Sequence, residues 1–98
     1  MYLRIHQTQA GKVVAVCDED LVGKVLDDGK AYMDLDRYRA FYVGEKADAE
    51  EVKKALHGFV SANLVGKDAV GSAVDAGVAG KRDIMYINKT PYIQIYNI

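Results

Sequence analysis

Apolar and polar residues alternate without interruption at the start of the chain. In Tyr2-Leu3-Arg4-Ile5-His6-Gln7, Leu3 and Ile5 fall on one side and Tyr2, Arg4 and His6 on the other. That period of two predicts a strand with one buried face. Thr8 to Lys12, with Ala10-Gly11 inside it, predicts a hairpin loop. Val13-Val14-Ala15-Val16-Cys17 is apolar at every position, which predicts a strand in the middle of a sheet with something packed on each side. Asp18-Glu19-Asp20 then opens a short turn or single helical turn through Leu21, Val22 and Gly23, its acids suited to the positive end.

Asp27-Asp28-Gly29, between Val25-Leu26 and Ala31 to Leu35, predicts a second hairpin. Arg37 to Val43, rich in Tyr and Phe and closed by Gly44, reads as a further strand. Asp48 with Glu51 three residues on has the form of a capping box. Val52, Ala55, Leu56, Phe59 and Val60 follow at the spacing of a core-facing helical stripe. Ser61 to Gly66 would connect this helix to a second one over 67–76, with Ala69, Val70, Ala73 and Val74 inward and Gly77 as its stop. Ile84 to Ile87 and Tyr92 to Tyr96 flank a turn at Asn88-Lys89-Thr90-Pro91, with Pro91 just outside the last strand. The order predicts one α+β domain over residues 1–98, a two-layer arrangement of a mainly antiparallel sheet with two helices.

Composition adds limits. Half of the 98 residues are apolar and 28% are charged, enough for one modest core. Thirteen Lys and Arg against 14 Asp and Glu leave a net charge of −1, which argues against a dedicated duplex-binding protein. The charge is uneven, at −3 over residues 1–36 and +2 over 37–98. A single cysteine, Cys17, forms no internal disulfide and builds no zinc site alone. The longest apolar run is too short to span a bilayer, and Arg4 and His6 interrupt the only early apolar stretch. A cytoplasmic location with no membrane partner follows by elimination.

Candidate chemistry is sparse. Gly66-Lys67 suggests a phosphate loop, but Ser61 and Asp68 stand where that loop needs Gly and Ser or Thr. A helix starting near Gly66, with Asn63 and Lys67 beside it, would still suit an anion; the plainer reading is an interhelical turn. The acids at Asp18 to Asp20, Asp27, Asp28, Asp34 and Asp36 suit helix starts and turns better than a metal, and no metal or cofactor is assigned. Acidic neighbours oppose thiolate formation at Cys17, and no nucleophile, base and orienter can be assembled into a catalytic set.

Seven tyrosines are the least ordinary feature. Tyr2, Arg4 and His6 share one face of the first strand, and Tyr92, Gln94 and Tyr96 one face of the last. Such a face can stack unpaired bases. Tyrosine is equally at home on a packed strand with its hydroxyl wet. The apolar central strand implies that part of the face is covered.

Cys17-Asp18-Glu19-Asp20-Leu21-Val22-Gly23-Lys24 and Ser61-Ala62-Asn63-Leu64-Val65-Gly66 carry a resemblance. Together with Leu3-Arg4-Ile5-His6 and Pro91-Tyr92-Ile93-Gln94-Ile95, they are similar to the small archaeal proteins grouped as domain of unknown function 424. The resemblance implies a single-domain protein of about this length without an assigned activity, and a link to RNA or translation. It transfers no catalytic residues. The reading is a non-enzymatic binding module with RNA or a ribonucleoprotein as partner, using Tyr2, Arg4, His6, Tyr92 and Gln94, and Asn63, Gly66 and Lys67 for an anion. The alternative is a protein-interaction module or homo-oligomer joined through its Tyr-rich terminal strands.

Overall fold

A computed structural model describes residues 1–97. Strands β1 (Tyr2–Thr8) and β2 (Gly11–Cys17) form the predicted first hairpin. A 3-10 turn at Glu19–Leu21 leads into the hairpin of β3 (Val25–Asp27) and β4 (Tyr32–Asp34). Helix α1 (Arg39–Tyr42), strand β5 (Glu45–Lys46) and helix α2 (Ala49–Ala55) follow. Strand β6 (Phe59–Val65), helix α3 (Lys67–Asp75), a 3-10 turn at Lys81–Asp83, and strands β7 (Met85–Ile87) and β8 (Thr90–Tyr96) complete the chain. The main sheet runs β5-β1-β2-β6-β8-β7 and is antiparallel except where β2 lies parallel to β6; β3 and β4 form a separate two-stranded sheet.

The all-apolar β2 explains the layering. Val14 and Val16 face one way, joining Ala62, Leu64 and Ile93 beneath Val52 of α2, Leu56 just past its end, and Ala69, Val70 and Ala73 of α3. Ala15 and Cys17 face the other, joining Val65 and Ile87 beneath Leu21, Leu26, Leu35 and Tyr42. A fold with apolar residues on both sides of one strand needs cover on both sides. The two-layer expectation is therefore corrected: the sheet is mixed, and the β3–β4 hairpin with α1 covers the face opposite α2 and α3. No helix among the described residues is long and apolar enough to cross a membrane.

The larger correction concerns residues 56–66. Asp48 and Glu51 do form a capping box, with Asp48 Oδ1 accepting from the Glu51 N–H at 2.9 Å. The helix nonetheless stops at Ala55, and Gly58 turns the chain at φ +65°. Phe59 to Val65, expected as a helix end and a connector, is a strand hydrogen-bonded on both flanks. The helical spacing misleads because of a bulge. Lys12 pairs with Phe59 but Val13 with Ser61, so Val60 is an extra residue and Phe59 joins Ala62 and Leu64 in one core.

Three smaller differences have causes of their own. Residues 37–43 hold a helix, not a strand, because Asp34 Oδ1 accepts from the N–H groups of Asp36 and Arg37 (3.0 and 2.8 Å) and turns the chain. Tyr42 then buries at helical spacing from Tyr38. Pro91 lies inside β8, opposite Tyr86, where no N–H is required of it. Ile5, expected inside, is 43% exposed because the helical layer covers Leu3 but not Ile5.

Phe59 is 6% exposed and packs from the strand. Phe59→Ala should lower stability by about 3–5 kcal/mol in urea denaturation. His57→Ala, at an exposed position beyond the end of α2, should stay within about 0.5 kcal/mol. Equal effects would place the two residues on one helix.

Candidate binding cleft

Strand registers set the expected residues on one sheet face. Tyr2, Cys17, Val65 and Tyr92 form one row across β1, β2, β6 and β8; Arg4, Ala15, Asn63 and Gln94 form the next. Arg4 and Gln94 are three strand spacings apart, roughly 14 Å. The apolar middle of these rows lies under the β3–β4–α1 cover. Arg4 and His6 hold that cover down. The Arg4 guanidinium donates to the Val43 carbonyl at 3.3 Å, and His6 Nε2 donates to the Phe41 carbonyl at 2.9 Å. The His6 ring also stacks on Phe41, centroids 4.8 Å apart and planes within 10°. Tyr92 is half-buried against the same core, and Tyr2 is half-buried at the β5 side. The open aromatic platform expected from strand alternation is thus mostly roofed.

Asn63, Gly66 and Lys67 do not converge either. Asn63 sits mid-strand in β6, opposite Gln94, whereas Gly66 and Lys67 open α3. Two of the first three amides of α3 are already occupied. Asp18, at the end of β2, accepts from the Asp68 N–H through Oδ2 (3.0 Å) and from the Ala69 N–H through Oδ1 (2.8 Å). The helix N-terminus favours an anion, and the chain supplies its own. Asp18 was expected to serve the adjacent turn; it caps a helix about fifty residues away, which no local pattern announces. Gly66 permits this contact. Its φ is +108°, and a Cβ there would collide with the Asp18 carboxylate.

Burial governs the titratable groups nearby. It raises the Asp18 pKa above the ordinary 3.8, against the lowering effect of the two amide donors. Burial first, then the charges of Asp18 and Asp20, pushes the Cys17 thiol up to about 12. Burial, then Cys17, pushes the Tyr42 hydroxyl up to about 12. The other acids serve turns: Asp28 accepts from Lys30 and Ala31, Asp34 from Asp36 and Arg37, and the backbone donors hold both carboxyls below the ordinary range. Among the described residues, no three His, Cys, Asp or Glu side chains gather to hold a metal.

The cover creates a cleft of about 560 Å³ where β4 and α1 overhang β8. Tyr32, Arg37, Tyr38 and Phe41 form its wall, with Asp34 near the Tyr32 hydroxyl and Gln94 on the sheet side. Tyr32 and Tyr38 are 65% and 55% exposed, and the Arg37 guanidinium lies 5.8 Å from the Tyr38 ring centre. Of the residues expected from sequence, only Gln94 lines it. Arg37, Tyr38 and Phe41 lie in 37–43, which reads as a strand in the sequence, and Tyr32 opens the second arm of the β3–β4 hairpin. The signal that marks them is Asp34 followed by aromatics three and four residues apart.

Among families, the model described as protein of unknown function DUF424 matches residues 5–98. Among solved structures, the chain is similar to an uncharacterized conserved protein from Methanopyrus kandleri. The TM-score is 0.80 at 29% identity, over 97% of this chain and 89% of that one. No functionally curated protein matches.

The capping geometry has measurable consequences. Asp18→Ala should destabilise by about 1–2 kcal/mol and Gly66→Ala by about 1–3 kcal/mol. The double variant should lose less than the sum, because the added Cβ no longer meets a carboxylate. Strict additivity in thermal melts would separate the two sites.

In an NMR pH titration, Asp18 should titrate above 3.8 and Asp28 and Asp34 below it. The sign for Asp18 follows from linkage. Its folded pKa is raised, so its contribution to stability is complete at low pH and declines as pH climbs from 3.8 through the folded value. Asp28 and Asp34 behave oppositely, losing their contribution as pH falls below 3.8. Cys17, fully buried with a raised pKa, should react with thiol reagents only after unfolding.

Proposed function

The chain belongs to the family of proteins of unknown function DUF424, and from that premise we propose that its cleft binds an unpaired nucleotide of single-stranded RNA, as a non-enzymatic module in the cytoplasm. The observation that carries this reading is the grouping of exposed Tyr32 and Tyr38 with Arg37 around Gln94. Aromatic rings offer a stacking surface to any base. The Gln94 amide supplies donors and acceptors for a base edge. Arg37 is placed for a phosphate. The volume falls within the usual range for small-ligand sites.

The reading moves the RNA contact away from Tyr2, Arg4, His6 and Tyr92. Arg4, His6 and Tyr92 support the cover and Tyr2 lies half-buried at the β5 side, so the four do not face solvent together, and only Gln94 of the expected face keeps a ligand role. The rival reading, association through the terminal strands, is less favoured. The lower half of β1 is covered by α1 through His6 and Arg4, and β8 lies between β6 and β7.

Fluorescence anisotropy with a labelled single-stranded RNA decamer tests the proposal. Tyr32→Ala and Tyr38→Ala should each weaken binding at least about fivefold, from roughly 1 kcal/mol per stacked base. With one Arg lining the cleft and a net charge of −1, affinity should fall gently with salt. Absence of binding in low salt at micromolar protein, together with a mass that grows with concentration, would replace the RNA reading with self-association.

A further inference from the structure

The outer flank of β7 is the end of the main sheet, on the side away from the cleft's helix. Its backbone is arranged to pair. The two-residue turn at Asn88-Lys89, both with positive φ, closes on Ile87 and Thr90, so that pair exchanges hydrogen bonds. Tyr86 and Pro91 are then a non-bonded pair, consistent with the missing N–H of Pro91, and the N–H and C=O of Tyr86 point outward from the sheet. Such an edge is a template for an added strand unless it is blocked. Among the described residues no proline, bulge or helix covers this three-residue edge, and Tyr86 and Met85 are 60% and 42% exposed.

Beside this edge, on the α3 face, lies a groove of about 260 Å³. Val70, Val74, Ile84 and Pro91 give it an apolar floor, with Tyr86 at the open side. Lys67 and Lys81 line it as well, and Arg82 is the next residue along. None of these three cations is ion-paired among the described residues. Of the acids close by, Asp83 accepts from the Gly80 N–H at 2.8 Å, and Asp75 alone lines the groove.

We propose that this edge and groove take up a short extended peptide segment of a partner protein, apolar at alternate central positions and acidic at its ends. The backbone would pair with Tyr86, the central side chains would enter the groove, and the flanking carboxylates would meet Lys67, Lys81 and Arg82. The charge is what selects this occupant over a second copy of the chain. Two such edges brought together would set the same cations against one another. The site is separate from the cleft and does not depend on what the cleft binds.

The test uses the full chain, ¹⁵N-labelled, titrated with acetyl-Glu-Glu-Val-Thr-Val-Glu-Glu-amide and with the counterpart carrying Lys in place of Glu. Amide shifts should concentrate at Met85, Tyr86 and Lys81, with the acidic peptide binding at least about tenfold more tightly, a modest coupling for two charge pairs. A Lys67→Glu, Lys81→Glu double variant should keep its spectrum and reverse the preference. N-methylation of the peptide valine that lies opposite Tyr86, on the groove face, should abolish the Tyr86 shift. Equal affinity for both peptides, or shifts gathered at Tyr38 and Gln94 instead, would overturn the proposal. So would Tyr86 shifts that follow protein concentration without peptide, which would mean the edge pairs with another copy.

Discussion

The parallel pairing of β2 with β6 is the constraint on which the other features rest. Val14 and Val16 commit one side of β2 to a core, and Ala15 and Cys17 commit the other. Neither face can be left to water without exposing a contiguous apolar stripe. Helices α2 and α3 cover one side, and the chain between β2 and α2 is folded back to cover the other. That second cover is small, so it closes over the Cys17 end of the sheet face and overhangs the remainder. The cleft is the overhang.

The same constraint decides the roles of the polar residues. Arg4 and His6 have the character of ligand-binding side chains, yet each reaches a main-chain carbonyl of the α1 segment. A four-residue helix has little stability of its own, and tertiary contacts must hold it in place. Asp18 does comparable work on the opposite side of β2's end, joining the strand to the first turn of α3. A carboxylate so placed satisfies two amides that would otherwise attract an external anion.

What was legible in the sequence follows the range of the interactions. Alternation at residues 2–7, the apolar run at 13–17, the Asp48–Glu51 box and the stop at Gly77 are local signals, and each corresponds to an element. Phe59 and Val60 mislead because a bulge shifts the side-chain phase by one residue, producing helical spacing inside a strand. Residues 37–43 mislead because aromatic content suggests a strand while Asp34, outside the window, turns the chain. The cleft was illegible for a related reason. Much of its wall comes from residues 37–43, and its only expected member, Gln94, arrives from a strand some fifty residues later.

Val14 meets Ala62 across the central pair, 48 residues away along the chain. The β3–β4 hairpin and α1, which cover the Cys17 side, and the whole of α2 are contained in the loop this contact closes. The first hairpin, β1 with β2, forms between neighbours, but its apolar faces have no partner until the second central strand is in place. Loop closure of that length must precede most of the burial that rewards it, a pattern associated with slower folding than in helical proteins of similar size. On the ribosome, residues 13–17 emerge well before β6, so an apolar strand with both faces bare waits through the synthesis of nearly half the protein.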